Sequence, residues 1–304
     1  MSDAYCSEIS RELDEPLLGT ASRVRNWLLV EQPGRWGYDA VVESGLDPAA
    51  ASDLKRNTGR HHVRLLLIRR PNGVRESTLR CFAVHSGLDH HWIHQFEIER
   101  ASDLIDLDLS GMRNGVAPDG GSSWEHPLYL VCTHGDHDRC CSRFGEPVAR
   151  ALATTRAGTT WESSHVGGDR FAGNLVCLPH GLYFGRVSAE NAAQVAALYE
   201  QDMIDLEHFR GRSCFESVVQ AGDVFLRQHW GLAAIDDLVP ESRRDRPGGT
   251  SSLTFRDPQG RSYAVDVTVR RASKRLITCD ASVPGSPRVY SATFPDGDRS
   301  NTLR

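Results

Sequence analysis

The chain predicts an α/β fold, and three observations carry that prediction. Apolar runs at 27–30, 63–68 and 128–132 are strand-length and alternate with stretches of helical spacing. One plan is legible twice between residues 25 and 200: a strand, a glycine-containing loop, a helix and then further strands. The composition, 39% hydrophobic and 25% charged over 304 residues, is that of a soluble globular chain with room for two or three compact units.

In order, the first unit reads as a strand over 25–31, a loop QPGRWG, a helix from Tyr38 through Leu46 and onward, and strands over 62–70, 79–87 and 91–99. The Gly-, Pro-, Asn- and Ser-rich segment 111–123 is the expected connector. The second unit opens with a strand over 126–132 and a polar loop THGDHDRCCSRFG. Its helix is expected over 146–153, begun by Pro147, whose missing N–H is not needed in a first turn. Strands over 159–164, 175–179 and 182–187 follow, then a helix with Ser188 as N-cap and Val195, Leu198 and Tyr199 on one face. This is a β-α-β-β-β-α order, and the first unit repeats it in degenerate form, with GRWG where the second has THGD. From Glu207 the chain reads as a small α+β appendage. It has a helix carrying Phe215, Val218 and Phe225, a polar break at 241–252, and strands over 252–257, 261–271 and 274–280. The expected divisions are 1–123, 124–206 and 207–304.

Charge and composition exclude several functions. Thirty-five Lys and Arg against 40 Asp and Glu give a net charge of −5, the wrong sign for tracking a phosphate backbone, so no nucleic-acid partner is expected. No apolar run approaches the roughly 20 residues that span a bilayer, so no membrane association is expected. The acidic opening, with Asp3, Glu8, Glu12, Asp14 and Glu15, is unlike an export signal, and a cytoplasmic location follows as an expectation. The glycine-bearing stretches PGRWG and HVGGD lack the spacing of phosphate-binding loops, which removes nucleotide binding from consideration.

The eight cysteines are spread too widely for a disulfide framework and read as thiols, some of them metal ligands. Cys132 closes a strand, and Cys140 and Cys141 sit eight and nine residues on, near a helix entrance whose dipole favours thiolate. Twenty-four residues past Cys141 a second strand runs out into His165-Val166-Gly167-Gly168-Asp169, where two glycines allow a tight bend between two potential ligands. In a β-α-β-β-β-α unit these two loops meet at one sheet edge, so Cys132, Cys141, His165 and Asp169 can converge.

The segments CTHGDHDRCC and WESSHVGGDRFAGNLVCLPHGLYFGRV resemble the sucrase/ferredoxin-like family, grouped with the thioredoxin-like 2Fe-2S ferredoxins. EPLLGTASRVRNWLLVEQPGRWG adds to the likeness, which spans most of residues 6–230. The resemblance implies a thioredoxin-like ferredoxin domain over 124–206, preceded by a degenerate related lobe. It also implies a Rieske-like 2Fe-2S cluster held by two cysteines and two histidines. Carried over, these positions are Cys132, Cys141 and His165, with family spacing favouring Cys141 over Cys140. The fourth departs from the pattern: this chain has Asp169 where HVGGH would place a second histidine. Three outcomes stay open: Asp169 binds iron through an oxygen, His134 or His137 substitutes, or the cluster is lost. The first is favoured, and a carboxylate there should lower the potential and make the cluster more labile.

The implied function is one-electron transfer with an unidentified redox partner protein, an electron carrier rather than a catalyst of a substrate reaction. The alternatives are a non-redox module with a structural zinc on the same four residues, or a cluster-less scaffold. A Cys-His hydrolase using Cys132 or Cys141 with His165 ranks third. No pair of carboxylates is placed for glycoside hydrolysis. His61, His62, His90, His91 and His94 read as sheet-face or solvated histidines. Cys81, Cys177 and Cys279 read as small apolar fillers inside strands, and Cys6 and Cys214 have no partner in the sequence pattern. Arg143 and Arg170 flank the site, while Trp161 and Phe171 read as core beneath its loops.

Overall fold

In the computed structural model, which describes residues 4–73 and 78–295, a short helix α1 (Cys6–Glu12) precedes the first strand, β1 (Asn26–Glu31). β1 is buried at every residue because partners flank it on both sides. After helix α2 (Pro48–Arg60) the chain returns as β2 (Val63–Arg69), parallel to β1. β3 (Leu79–Ser86) pairs antiparallel on its other side, and β4 (His91–Ile98) and the two-residue β5 (Ser122–Ser123) extend that edge.

The second unit repeats the plan. β6 (Leu128–Cys132), helix α3 (Arg139–Arg156) and β7 (Thr160–Ser163) form a parallel β-α-β unit, β8 (Leu175–Leu178) pairs antiparallel with β6, and β9 (Leu182–Phe184) follows. Helix α4 (Ala192–Tyr199), strand β10 (Phe209–Arg212) and helix α5 (Ser217–Trp230) come next. Four antiparallel strands, β11 (Val239–Arg246), β12 (Thr250–Arg256), β13 (Ser262–Arg271) and β14 (Arg288–Thr293), close the described chain as a separate sheet.

The strand orders β2-β1-β3-β4 and β7-β6-β8-β9 are the same, and the two sets join antiparallel where Ile68 faces Ser163 and Arg69 faces Glu162. One ten-stranded sheet results, ordered β10-β9-β8-β6-β7-β2-β1-β3-β4-β5. It curls enough that Trp27 of β1 reaches Tyr183 of β9, five strands away, with ring centroids 6.2 Å apart.

Period-2 alternation sorts side chains between layers. Trp27, Leu29, Leu128, Leu130 and Cys132 share one apolar layer that runs across both halves. On the opposite face Leu28 and Val30 pack under Ala51 and Leu54 of α2, while Tyr129 and Val131 pack under Val148 and Leu152 of α3. α5 packs against the small sheet through Ala221 and Leu226 on Phe255, Val265 and Val267.

The α/β prediction holds, with several element-level corrections. Residues 38–46 form turns rather than a helix: Asp47 caps α2 through Ala49 and Ala50 N–H groups and Pro48 occupies its first turn, so the helix starts ten residues later than expected. α3 starts at Arg139, not at 146, because the Asp138 side chain accepts the Cys140 N–H; Pro147 therefore lies inside the helix and Cys140 and Cys141 in its first turn. α4 begins one turn after Ser188. The polar break at 241–252 is largely strand, because β11 is an exposed edge whose charged side chains face solvent. The expected strand 274–280 is irregular, and β14 takes its place. β10 joins the large sheet rather than the appendage. Positions 1–3, 74–77 and 296–304 of the expected divisions lie outside the described residues.

Candidate metal centre

Cys132 is fixed by its position as the last residue of β6, where its N–H donates to the Asn174 carbonyl at 3.0 Å. The first turns of α3 then cross directly over it. A Cβ at Gly145 would overlap the Cys132 carbonyl oxygen, so the helix can approach this strand end only with glycine there. That close approach brings the Cys141 sulfur to Cys132, and both cysteines are essentially unexposed.

The second loop arrives from β7. Gly167 and Gly168 have φ of +102° and +85°, and a Cβ on them would run into Ser22 and the Arg210 guanidinium respectively. Arg210 is buried and braces this loop, donating to the Gly167 carbonyl at 3.1 Å and to Asn174 Oδ1 at 2.7 Å; burial brings its pKa down to about 10. The bend returns Asp169 toward His165, with Oδ1 2.9 Å from His165 Nδ1. Cys141 Sγ donates to the same oxygen at 3.3 Å.

The four residues singled out in the sequence therefore meet. Donor atoms of Cys132, Cys141 and His165 lie within 4.8 Å of one another, as do those of His137, His165 and Asp169. Cys140 stands elsewhere, its sulfur turned toward Cys6 and Cys279. His137 lies against His165 with ring centroids 4.0 Å apart and planes tilted by 31°. His134 has both nitrogens engaged: Nε2 lies 2.6 Å from the Gly37 carbonyl and Nδ1 accepts the His165 N–H at 3.3 Å. It positions His165 and keeps no lone pair for a metal. Gly37 belongs to the loop after β1, which also offers Arg35 to Asp136 at 2.7 Å, so the first unit covers the second unit's site.

The electrostatics favour a charged cluster. A hydrogen bond from Cys141 holds the Cys132 pKa well below that of an ordinary thiol, with His165 adding to the effect. The same hydrogen bond, with burial, pushes Cys141 well above it. Burial opposes a charge on His165, yet Asp169 and Cys132 together hold its pKa at about 10. Burial likewise opposes the Asp169 carboxylate, and His165 outweighs it, so Asp169 stays below the usual carboxylate range.

The donor set fits a metal or an iron-sulfur group. Two thiols, an imidazole and a carboxylate are the ligand types iron and zinc accept. His165 Nδ1 is buried and, despite its short distance to Asp169, lacks an aligned hydrogen-bond partner, an orphan that a metal would satisfy. A thiolate–imidazolium pair is also a hydrolase feature, but Cys132 at 1% and Cys141 at 0% exposure offer no sulfur to a substrate carbonyl.

The flanking expectations divide. Trp161 and Phe171 are fully buried core, as expected, and Cys81 and Cys177 fill strands β3 and β8. Arg170 pairs with buried Glu15 at 2.8 Å instead of facing the thiols. Cys279 is not a strand filler: it lies in the irregular stretch after β13, 3.2 Å from the Cys140 sulfur. Cys6, without a partner in the sequence pattern, is 3.5 Å from that sulfur. Arg210 and Gly145 carried no signal, since each matters only through a neighbour distant in sequence. All eight cysteines are free thiols.

A family model described as Sucrase/ferredoxin-like matches residues 17–211, a span that contains Cys132, Cys141, His165 and Asp169 and leaves α1, α5 and the small sheet outside. No curated protein and no solved structure matches the chain.

Proposed function

The chain belongs to the sucrase/ferredoxin-like family, and from that premise we propose that it carries single electrons through a 2Fe-2S cluster held by Cys132, Cys141, His165 and Asp169. The observation that carries the reading is the convergence of these side chains from a strand end, a helix start and a glycine-bent loop: the donors of Cys132, Cys141 and His165 lie within 4.8 Å of one another, and Asp169 touches both His165 and Cys141. The β-α-β-β-β-α order of residues 128–199, with the thiols at its first strand-to-helix junction, supports a thioredoxin-like ferredoxin unit.

When bound, such a cluster accepts and releases one electron. The chain's own groups supply the rest. Cys132 and Cys141 form the inner, fully buried pair, and His165 with Asp169 the outer pair, with His165 partly exposed. His134 fixes the backbone of His165, and Arg210 places a positive charge behind the carboxylate. A carboxylate in place of a second imidazole lowers the potential relative to a two-histidine site. A redox partner protein is required to load and unload the electron. A cytoplasmic setting agrees with eight free thiols; among the described residues no helix is long and apolar enough to cross a membrane.

A single zinc ion on the same residues is the second reading, supported by the donor atoms of Cys132, Cys141 and His165, which lie within 4.8 Å of one another. The test is visible absorption and electron paramagnetic resonance of protein purified without oxygen, before and after dithionite, with iron, sulfide and zinc assayed on the same sample. A coloured protein with about two irons per chain, bleached on reduction and colourless as Cys132→Ser, is expected. A Cys132→Ser protein that keeps its colour overturns the assignment. A colourless protein that loses a zinc on the same substitution establishes the second reading.

A further inference from the structure

Three cysteines far apart in sequence meet beside the centre described above, next to it in the chain through the adjacent Cys140 and Cys141, without belonging to it. Cys6 comes from the first turn of α1, Cys140 from the first turn of α3 and Cys279 from the irregular stretch between β13 and β14. Their sulfurs form a triangle with edges of 3.5 Å (Cys6 to Cys140), 3.2 Å (Cys140 to Cys279) and 3.7 Å (Cys6 to Cys279). Asp138 Oδ2 lies 3.8 Å from the Cys6 sulfur, and the four donor atoms lie within 4.8 Å of one another. Cys6, Cys140 and Asp138 are wholly buried.

We propose that Cys6, Cys140, Cys279 and Asp138 bind a structural zinc ion, a site separate from the Cys132–Cys141–His165–Asp169 centre. The geometry argues for one ion rather than a disulfide. A zinc about 2.3 Å from each sulfur places tetrahedral thiolates about 3.8 Å apart, close to the 3.5 and 3.7 Å edges and longer than the 3.2 Å edge, which must open slightly. A disulfide needs sulfurs about 2.05 Å apart and uses only two of the three cysteines.

The surroundings already provide for thiolate charge. The Ser7 hydroxyl donates to Cys140 Sγ at 3.1 Å and the Cys6 N–H to Cys279 Sγ at 3.5 Å. Asp138 is held in place by accepting the Cys140 N–H at 2.8 Å and the Cys279 N–H at 2.6 Å. Each of its oxygens keeps a lone pair for a metal.

Such an ion ties both ends of the chain to the first turn of α3. Cys6 and Cys279 are 273 positions apart, so their ligation closes almost the whole described chain into one loop, and metal binding adds to folding free energy. Because Cys140 and Cys141 are adjacent, the ion also anchors the backbone that presents Cys141 to the other centre.

The experiment compares full-length wild type with Cys6→Ser, Cys279→Ser and Cys132→Ser, all purified under reducing conditions, by zinc and iron content and by X-ray absorption at the zinc edge. About one zinc with three sulfur neighbours and one oxygen neighbour is expected in the wild type. It should be lost from Cys6→Ser and Cys279→Ser and kept by Cys132→Ser. Cys279→His separates lost ligation from failed folding: it should retain the zinc with two sulfur neighbours. Zinc retained by both Cys6→Ser and Cys279→Ser, a reduced wild type that takes up no zinc, or a disulfide joining two of the three cysteines in zinc-free protein each overturns the proposal. Because Cys6 and Cys279 lie outside the first centre, loss of colour on Cys132→Ser speaks to that centre alone.

Discussion

Gly145 lies against the carbonyl of Cys132 so closely that any Cβ at position 145 would overlap its oxygen. This contact between α3 and the end of β6 sets the separation of Cys132 from Cys141. Gly145→Ala must push the helix outward, an overpacking cost of about 1–3 kcal/mol. The expected result is a lower denaturation midpoint together with reduced iron retention. A variant with wild-type stability and iron content would show that the helix adjusts freely and that the approach does not position the thiols.

The fourth donor is testable by exchange. For the proposed cluster, Asp169→Ala should shorten its lifetime and cut iron retention about tenfold or more, in line with loss of a ligand or its close partner. Asp169→His should restore retention and raise the reduction potential, since a neutral imidazole replaces an anionic carboxylate. His137→Ala should leave iron content unchanged. If His137→Ala strips the iron and Asp169→Ala does not, His137, with its ring centroid 4.0 Å from that of His165, is the donor.

Acid lability should arise from two histidines away from the centre. Burial pulls the pKa of His85 down to about 4 and that of His180 to about 3, with neighbouring histidines and arginines adding to both. Their folded values lie below the unfolded value of about 6.5, so the unfolded chain binds more protons as pH falls. The stability they contribute is complete above pH 6.5 and is lost toward pH 4 and 3, by up to about 1.4 kcal/mol per pH unit for each. Between pH 6.5 and 5, where carboxylates remain ionised, His180→Gln should flatten the measured dependence. An unchanged slope would mean that His180 is protonated in the folded protein.

Asp223 and Arg227 of α5 form a buried pair at 2.8 Å, each side chain 2% exposed, and Arg227 also donates to the carbonyls of Leu232, Ala234 and Ile235. Removing the carboxylate leaves an uncompensated buried guanidinium. Asp223→Ala should cost about 3–5 kcal/mol in chemical denaturation, and a loss below about 1 kcal/mol would show that the three carbonyls suffice.

Local pattern was enough for much of this protein. The strand-length apolar runs and the glycine-bent HVGGD segment are properties of neighbouring residues, so the α/β class and the two candidate loops are legible in the sequence, while the family resemblance is what favours Cys141 over Cys140. Pro147 is a local signal for a helix start and predicts α3 seven residues late, because Asp138 outweighs it by accepting the Cys140 N–H. The apolar run at 274–280 predicts a strand, but it stays irregular while Cys279 reaches α3.

What the tertiary structure alone decided is which distant residues touch. The antiparallel junction of β2 with β7 makes one sheet of two similar units and lays the loop after β1 over His134. Arg210 braces the HVGGD loop from a strand 41 positions past Asp169. Cys6, Cys140 and Cys279 become a cluster only when both ends of the chain pack onto one helix turn. Periodicity and capping act over a few residues, so sequence reveals them. Contacts between residues more than a hundred positions apart depend on how whole layers stack, and no local signal encodes that.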